Sequence, residues 1–446
     1  MMYSIEKGRP MASILYIMQG APGSGKSTFI ADNGLERYTV RMDDLRGVIN
    51  SDTVLTDMKT GVTEDAMDWS GRNSALAFSM ANEIVAYRMR LGETIILDGI
   101  NCNRKTIGRI LHTALENRYQ VRFVDMQKHT TLEEALKRNS SRPSNRKVPD
   151  NVVRSAWDSC NGFKVQQGNG EARIDPEDML ADRIIPIADA DGWSNVNVIG
   201  DVQGCWNALR KAFVASGSDN PEHGLDPNQL YVFTGDLLDR GPANDKVYEW
   251  LTRHCHDHNV VLVMGNHDSY FRYYASEQYE DSLPYKTKIS IRQIRDSMSG
   301  SAKDKLLRKS SRRVYNSFRK CFIFRRNGRL FLATHGGIDP DVVNDNLQDD
   351  GLSMGYWSQS YFYYGSGSVS SGGDYAIDID AMIHRKNQAN PDNRVFQIHG
   401  HRNEHHVGKY DYDDVWNLEN AVEAGGALRM ATIDKLGNVS VSEYED

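Results

Sequence analysis

The segment that most constrains this chain is Gly20-Ala21-Pro22-Gly23-Ser24-Gly25-Lys26-Ser27. It fits G-x-x-x-x-G-K-[ST] in full, follows the apolar run Ile14–Met18 and opens a helix-like stretch. In that setting the glycines let backbone N–H groups close around phosphates. The helix that follows adds its positive N-terminal end. Gly20, Gly23, Ser24, Gly25 and Thr28 are the expected cradle for ATP. Lys26 is expected to reach the terminal phosphates and the Ser27 hydroxyl to bind Mg²⁺. Such a loop sits at the end of a parallel strand. Thr94–Leu97 and Gln120–Val124 read as further buried strands, with Asn73–Leu91 and Lys105–Asn117 as helices between them.

A phosphate loop alone does not choose between kinase, ATPase and GTPase. A kinase also needs a carboxylate to deprotonate an acceptor hydroxyl and cations to hold an anionic acceptor. Asp43 and Arg46, in Val40-Arg41-Met42-Asp43-Asp44-Leu45-Arg46, supply both three residues apart. Asp98 falls at a strand C-terminus, where open α/β sheets keep their sites. Arg138 and Arg142, in Lys137-Arg138-Asn139-Ser140-Ser141-Arg142, place cations four apart on a helix end, as a lid over the nucleotide requires. Together these residues resemble the phage-type polynucleotide 5′-kinase family over residues 12–160. The resemblance implies that Asp43 is the general base for a 5′-hydroxyl. It also implies that Arg46 and Asp98 organise the acceptor end, and that Arg138 and Arg142 belong to the lid. Gly99-Ile100 departs from the more polar pair usual there.

The second half carries five short motifs, each after an apolar strand. They are Gly200-Asp201-Val202-Gln203-Gly204, Gly235-Asp236-Leu237-Leu238-Asp239-Arg240-Gly241, Gly265-Asn266-His267-Asp268, Thr334-His335-Gly336-Gly337 and Ile398-His399-Gly400-His401. Carboxylate, amide and imidazole donors in that order suit a pair of ions that activate water and clamp a phosphate ester. The series resembles the calcineurin-like metallophosphatase family over residues 195–430. By that resemblance Asp201 binds the first metal, Asp236 bridges, and Asn266, His335 and His401 bind the second. Arg240 holds the phosphate, and His267, oriented by Asp239, protonates the leaving group. One match fails: the family has D-x-H at the first motif, and this chain has Gln203 where the histidine belongs. Glutamine is a weaker ligand for a transition metal than imidazole, so the first site is expected to be weak, rebuilt, or selective for a harder ion. His399, His405 and His406 lie near enough to compensate, although a solvated surface position is the favoured reading for each. Mn²⁺ is the expected ion, with Ni²⁺, Fe²⁺ and Zn²⁺ as alternatives.

Trp416 to Glu423 and Gly425 to Arg429 resemble the closing strands of bacterial RNA end-repair phosphatases. The whole chain is thus similar to the bifunctional polynucleotide kinase-phosphatases. The expected architecture is an α/β kinase domain with a parallel sheet (12–160), a linker (161–194), and an α+β metallophosphatase domain of two packed sheets flanked by helices (195–446). The expected function is RNA end healing. One site phosphorylates a 5′-hydroxyl with ATP and Mg²⁺; the other removes a 2′,3′-cyclic phosphate or 3′-phosphate with two divalent metals. RNA ends, with tRNA or DNA ends as variants, are the expected partners. The short remaining tail leaves no ligase domain, so a separate RNA ligase is expected; a homo-oligomer is compatible. Two alternatives stand. One is a small-molecule or nucleotide kinase fused to a protein or dinucleoside-polyphosphate phosphatase. The other is a kinase whose phosphatase half has become a binding module.

Lys+Arg 53 against Asp+Glu 60 gives a formal net charge of -7, so any nucleic-acid surface must be local. Residues 286–320 supply one, with twelve Lys/Arg against two Asp/Glu. Its aromatics Tyr285, Tyr315 and Phe318 can stack on bases; a solvated helical insertion with core-facing aromatics is the competing reading. Gly365 to Gly373 reads as a flexible loop. Five scattered cysteines without a C-x-x-C pair argue against a disulfide scaffold and for a reducing compartment. No apolar run approaches the roughly 18 residues of a membrane span. Met11 is an alternative start, and the expected location is the cytoplasm, that of the host for a viral chain.

Overall fold

The computed structural model describes residues 14–49, 71–117, 119–142, 147–166, 170–275, 283–367, 378–402 and 412–446, with the backbone alone of 54–56, 63–65 and 71–73. They fall into two compact units, one spanning Ser13–Arg183 and the other holding Ile184–Asp446.

The first unit is built on five parallel strands. In chain order they are β1 (Ile14–Gln19), β2 (Thr39–Arg41), β3 (Ile95–Asp98), β4 (Gln120–Asp125) and β5 (Glu171–Ile174), arranged β2-β3-β1-β4-β5. β1 and β3 lie between other strands, which is why they read as unbroken apolar runs. Helices α1 (Lys26–Asp32), α2 (Met42–Ile49), α3 (Gly71–Arg90), α4 (Arg104–Glu116), α5 (Leu132–Ser140) and α6 (Asp150–Asn161) connect or follow them. Ala77, Ala81, Val85 and Met89 of α3 pack with Ile107 and Ile110 of α4 against Leu15, Ile17, Ile95 and Leu97. The spacing of four residues along α3 puts one face of that helix on the sheet. Thr131 caps α5 in a reciprocal capping box with Glu134.

The stretch 161–194, expected as a linker, is instead taken up by the two units. β5 extends the parallel sheet, and Tyr16 donates from its hydroxyl to Asp182 at 2.8 Å. β6 (Ala188–Asp189) pairs with a strand of the second unit. Both are edge strands with exposed positions, so their composition lacks the apolar run of a central strand.

The second unit stacks two sheets. Its further strands are β7 (Val196–Ile199), β8 (Leu230–Phe233), β9 (Val260–Val263), β10 (Phe318–Arg319), β11 (Phe322–Arg326), β12 (Arg329–Thr334), β13 (Val395–His399), β14 (Val415–Asn417), β15 (Ala427–Ile433) and β16 (Val439–Glu445). One sheet runs β10-β9-β8-β7-β15-β16 and the other β14-β13-β12-β11-β6. Alternation along the strands decides the layers. Val196, Val198, Leu230, Val232, Val261 and Val263 meet Phe322, Phe324, Phe331 and Ile398 between the sheets. Ile199, Tyr231, Phe233 and Leu262 face the opposite way, onto α7 (Trp206–Ala215) and α8 (Asn244–His254). The expected two-sheet, helix-flanked architecture is what forms.

The basic segment folds as α10 (Tyr285–Ser297) and α11 (Lys303–Tyr315), after α9 (Asn266–Ala275). Tyr315 and Phe318 stack on each other at 5.3 Å within the core, so the base-stacking expectation fails for both; Tyr285 is exposed. Residues 368–373 of the expected flexible loop lie outside the described residues. Cys102 and Cys160 are disulfide-bonded, with Cα atoms 4.7 Å apart, against the expectation of unpaired thiols. The fold, not sequence spacing, brings them together across 58 residues. Among the described residues no helix is long and apolar enough to cross a membrane.

Candidate functional site

The chain carries two candidate sites, one in each unit. In the first, residues 20–25 turn from β1 into α1. Gly23 has φ 87°, and a Cβ there would lie 2.1 Å from the Ala135 carbonyl oxygen, so only glycine fits. Lys26 Nζ donates to the carbonyls of Gly20 (2.7 Å) and Ala21 (3.0 Å). Burial pulls its amine down to about 8, partly offset by Asp98 and Asp43 and reinforced by Arg142. β3 lies beside β1, so Asp98 at its end reaches the loop. Its carboxylate accepts from Ser27 Oγ at 3.1 Å and from Arg41 Nε at 3.2 Å. Asp98 thus lies on the Ser27 side, where Mg²⁺ is expected, while lining the same cavity as Asp43 and Arg46. Arg46 Nη1 pairs with Asp43 Oδ1 at 2.7 Å. Lys26, Ser27, Asp43, Arg46, Asp98 and Arg142 line one cavity of about 470 Å³. Ile100 lines it too, at the position where the sequence departs from the kinase pattern. Arg138 does not line it and donates instead to Thr130 Oγ1 at 3.3 Å.

The second site gathers the loops that follow β7, β8, β9, β12 and β13. Gln203, Asp236, Asp239, Arg240 and His401 are five of the eight non-glycine residues with positive φ among the described residues. Backbone strain concentrated in this way marks functional loops. Gly400 has no freedom either: a Cβ there would lie 1.9 Å from Asp201 Oδ1. Asp268 ties the loops together, accepting from the amides of Asp236 (2.8 Å), Leu237 (3.1 Å) and Gly265 (2.9 Å). Burial, then the charge of Asp236, pushes its carboxyl up to about 7.

The donor set fits a metal. Asp236, His335 and His401 each offer one ligand atom, and these atoms lie within 4.8 Å of one another. His335 Nδ1 lies 3.0 Å from the Thr234 carbonyl, which can only accept, so Nδ1 carries the proton. Its Nε2 then faces Asn266 Oδ1 at 3.1 Å and Asp236 Oδ1 at 3.4 Å. Three electron-rich atoms converge, and a cation between them resolves the conflict. Asp201 Oδ1 and Gln203 Oε1 are buried without a hydrogen-bond partner. Burial raises the Asp236 carboxyl, but His335, His267 and His401 outweigh it and hold it well below the usual range. Burial, with His335, pushes His401 well down, which suits a neutral ligand.

His267 is wired differently. Arg240 Nη2 lies 2.9 Å from its Nε2, and guanidinium only donates, so Nε2 accepts. Nδ1 therefore donates to Asp239 Oδ2 at 2.8 Å. Burial lowers the imidazole, but the Asp239 hydrogen bond and the Asp236 charge outweigh it, and its pKa rises. Arg240 Nη1 also pairs with Glu423 at 3.2 Å.

The structure brings Asp236, Asn266, His267, His335 and His401 together with Asp201, Gln203, Asp239 and Arg240. Gln203 points its Nε2 at Asp236 Oδ2 (3.1 Å). Of the histidines considered as its substitute, His399 is fully buried with Nε2 on Asp380 at 2.8 Å. His405 and His406 lie outside the described residues. Sequence reasoning missed Thr287, whose hydroxyl donates to Asp239, and the buried Glu419, in contact with Asp201. Neither sits in a metal-ligand pattern, so only the fold reveals them.

A model of the calcineurin-like phosphoesterase family matches residues 194–420, just over half of the chain. A second, described as an AAA domain, matches residues 15–162. A symmetrical bis(5′-nucleosyl)-tetraphosphatase of Neisseria gonorrhoeae is 38% identical over 72 residues, 16% of this chain and 23% of that protein. An asymmetrical bis(5′-nucleosyl)-tetraphosphatase, PrpE, of Anoxybacillus flavithermus is 25% identical over 164 residues, 34% of this chain and 61% of that protein. The chain thus spans about a quarter of the first relative and three fifths of the second. A protein serine/threonine phosphatase structure from Saccharomyces cerevisiae is similar at TM-score 0.37 and 14% identity, covering 60% of this chain and 86% of that one.

Proposed function

Because this chain belongs to the calcineurin-like phosphoesterase family and joins to it a kinase-like phosphate-loop domain, we propose that it heals RNA ends. One site phosphorylates a 5′-hydroxyl; the other removes a 2′,3′-cyclic phosphate or 3′-phosphate. The observation that carries this reading is the pairing on one chain of an acceptor cavity holding Asp43, Arg46 and Arg142 with an Arg240–His267–Asp239 array beside a metal-ligand cluster. A ribonuclease break made by attack of the 2′-hydroxyl leaves a 5′-hydroxyl and a 2′,3′-cyclic phosphate. A ligase needs the reverse polarity of phosphate, and the two reactions together supply it to a separate RNA ligase.

In the kinase site Asp43 accepts the proton of the acceptor hydroxyl, held in place by Arg46. Lys26 and Arg142 offset the charge on the transferring phosphoryl group. Ser27 and Asp98 are the residues that would hold Mg²⁺. In the phosphatase site Asp201, Asp236, Asn266, His335 and His401 would hold two divalent ions, which when bound activate water and clamp the ester. Arg240 leaves His267 Nε2 for a phosphate oxygen, and the freed Nε2 takes up a proton from solvent, as the raised pKa of this imidazole favours. His267 then delivers its proton from Nε2 to the leaving oxygen, while Asp239, bonded to Thr287, stabilises the imidazolium through Nδ1–H.

The names of the matched tetraphosphatases favour one second reading, hydrolysis of dinucleoside polyphosphates by the same site. Parallel kcat/KM values on a 3′-phosphate oligoribonucleotide and on diadenosine tetraphosphate separate the two. A higher value on the oligonucleotide is expected; a higher value on the dinucleotide would overturn end healing.

A further inference from the structure

Gln203 raises the question of what completes the first metal ion. The sequence offers no histidine there, and His399 is committed to Asp380. The fold offers a carboxylate. Glu419 follows β14 and is only 6% exposed. Its backbone is fixed at both ends: the N–H donates to Asn417 Oδ1 at 3.1 Å, and the carbonyl accepts from Arg429 Nη1 at 3.3 Å. Its Oε1 accepts from the Ala421 amide at 2.9 Å. The same side chain meets the Asp201 carboxyl within hydrogen-bond distance.

Two buried carboxylates in contact repel each other unless a proton or a cation lies with them. Asp201 Oδ1 and Gln203 Oε1, both buried beside this pair or its bridging neighbour Asp236, have no hydrogen-bond partner. Four oxygen donors therefore gather where an imidazole is missing.

Resting on the two-metal reading above, we propose that Glu419 is a ligand of the first metal ion. With Asp201, Asp236 and the Gln203 carbonyl it gives that ion a shell of oxygen alone. The second ion keeps the imidazoles of His335 and His401. The two positions then differ in softness: the first selects Mn²⁺ or Mg²⁺, and the second also accepts Zn²⁺.

The test uses the full chain stripped of metal and titrated with Mn²⁺, with stoichiometry by calorimetry and coupling between ions by low-temperature electron paramagnetic resonance. Wild type is expected to bind two ions with a coupled spectrum. Glu419→Gln keeps the acceptor for Ala421 and is expected to bind one, with an uncoupled spectrum and an unchanged melting temperature when metal-free. Two coupled ions in Glu419→Gln at wild-type affinity would overturn the proposal. Fewer than two in wild type would instead overturn the two-metal reading beneath it. If Glu419→Gln does not fold, Glu419→Asp decides: weaker binding of one ion supports the assignment, and unchanged binding contradicts it.

Discussion

At the residue scale, one side-chain type does two jobs because of what its Nδ1 meets. The Thr234 carbonyl fixes a proton on His335 Nδ1 and leaves Nε2 to the ligand cluster, whereas in the proposed reading the Asp239 carboxylate prepares His267 as an acid. Asp239→Asn removes the stabilising charge while keeping the shape. We expect it to lower 3′-phosphate hydrolysis by ~10²–10⁴-fold and to leave 5′ phosphorylation intact. Hydrolysis at the wild-type rate would contradict His267's role. In the kinase site, Asp98→Asn weakens the Ser27–Asp98 pair. A Mg²⁺ titration of phosphorylation should then need more metal for half-maximal rate, and an unchanged requirement would place Asp98 elsewhere. The candidate metal ligands Asp201, Asp236, Asn266, His335 and His401 were legible in the sequence because each stands next to a glycine after an apolar strand. Asp98's attachment to Ser27 was not, since it depends on β3 lying beside β1. Glu419 was not legible either: it resembles any turn carboxylate until the fold sets it against Asp201.

At the element scale, the basic insertion touches the second site through packing. α10 carries Thr287 onto Asp239, and Gln293 accepts from Asn244 Nδ2 at 3.2 Å. Thr287→Val should lower hydrolysis while leaving the melting temperature near wild type; loss of both together would make the contact merely structural. Lys286, Arg292, Lys305, Lys309 and Arg313 remain exposed, and in the proposed reading they are the surface for a phosphate backbone. Lys320, in contrast, is buried, with Nζ donating to the carbonyls of Gly355 (2.9 Å) and Trp357. Burial pulls its amine down to about 7 from 10.5. The unfolded chain therefore binds the extra proton between those values, and this group makes stability rise with pH from about 7 toward 10.5. Chemical denaturation across that range should show a flatter slope in Lys320→Met than in wild type. Equal slopes would mean that the amine stays charged. The central strands were readable as apolar runs. The edge strands β5 and β6 were not, because half-exposed pairing leaves little compositional trace.

At the scale of the whole molecule, the two proposed chemistries fall to two units, and each proposed catalytic group lies wholly within its own unit. Separation of function follows. Lys26→Ala should abolish 5′ phosphorylation and spare 3′ processing, and Asp236→Asn should do the reverse. The most direct measurement uses one oligoribonucleotide bearing a 5′-hydroxyl and a 2′,3′-cyclic phosphate. It is incubated with ATP and Mn²⁺ or Mg²⁺ and either wild type or one of these two variants, and both ends are read by mass spectrometry. The account predicts a gained 5′-phosphate and a freed 3′-hydroxyl with wild type, and the loss of one change only in each variant. An oligonucleotide left unaltered at both ends by wild type, or a folded variant that loses both activities, would contradict it.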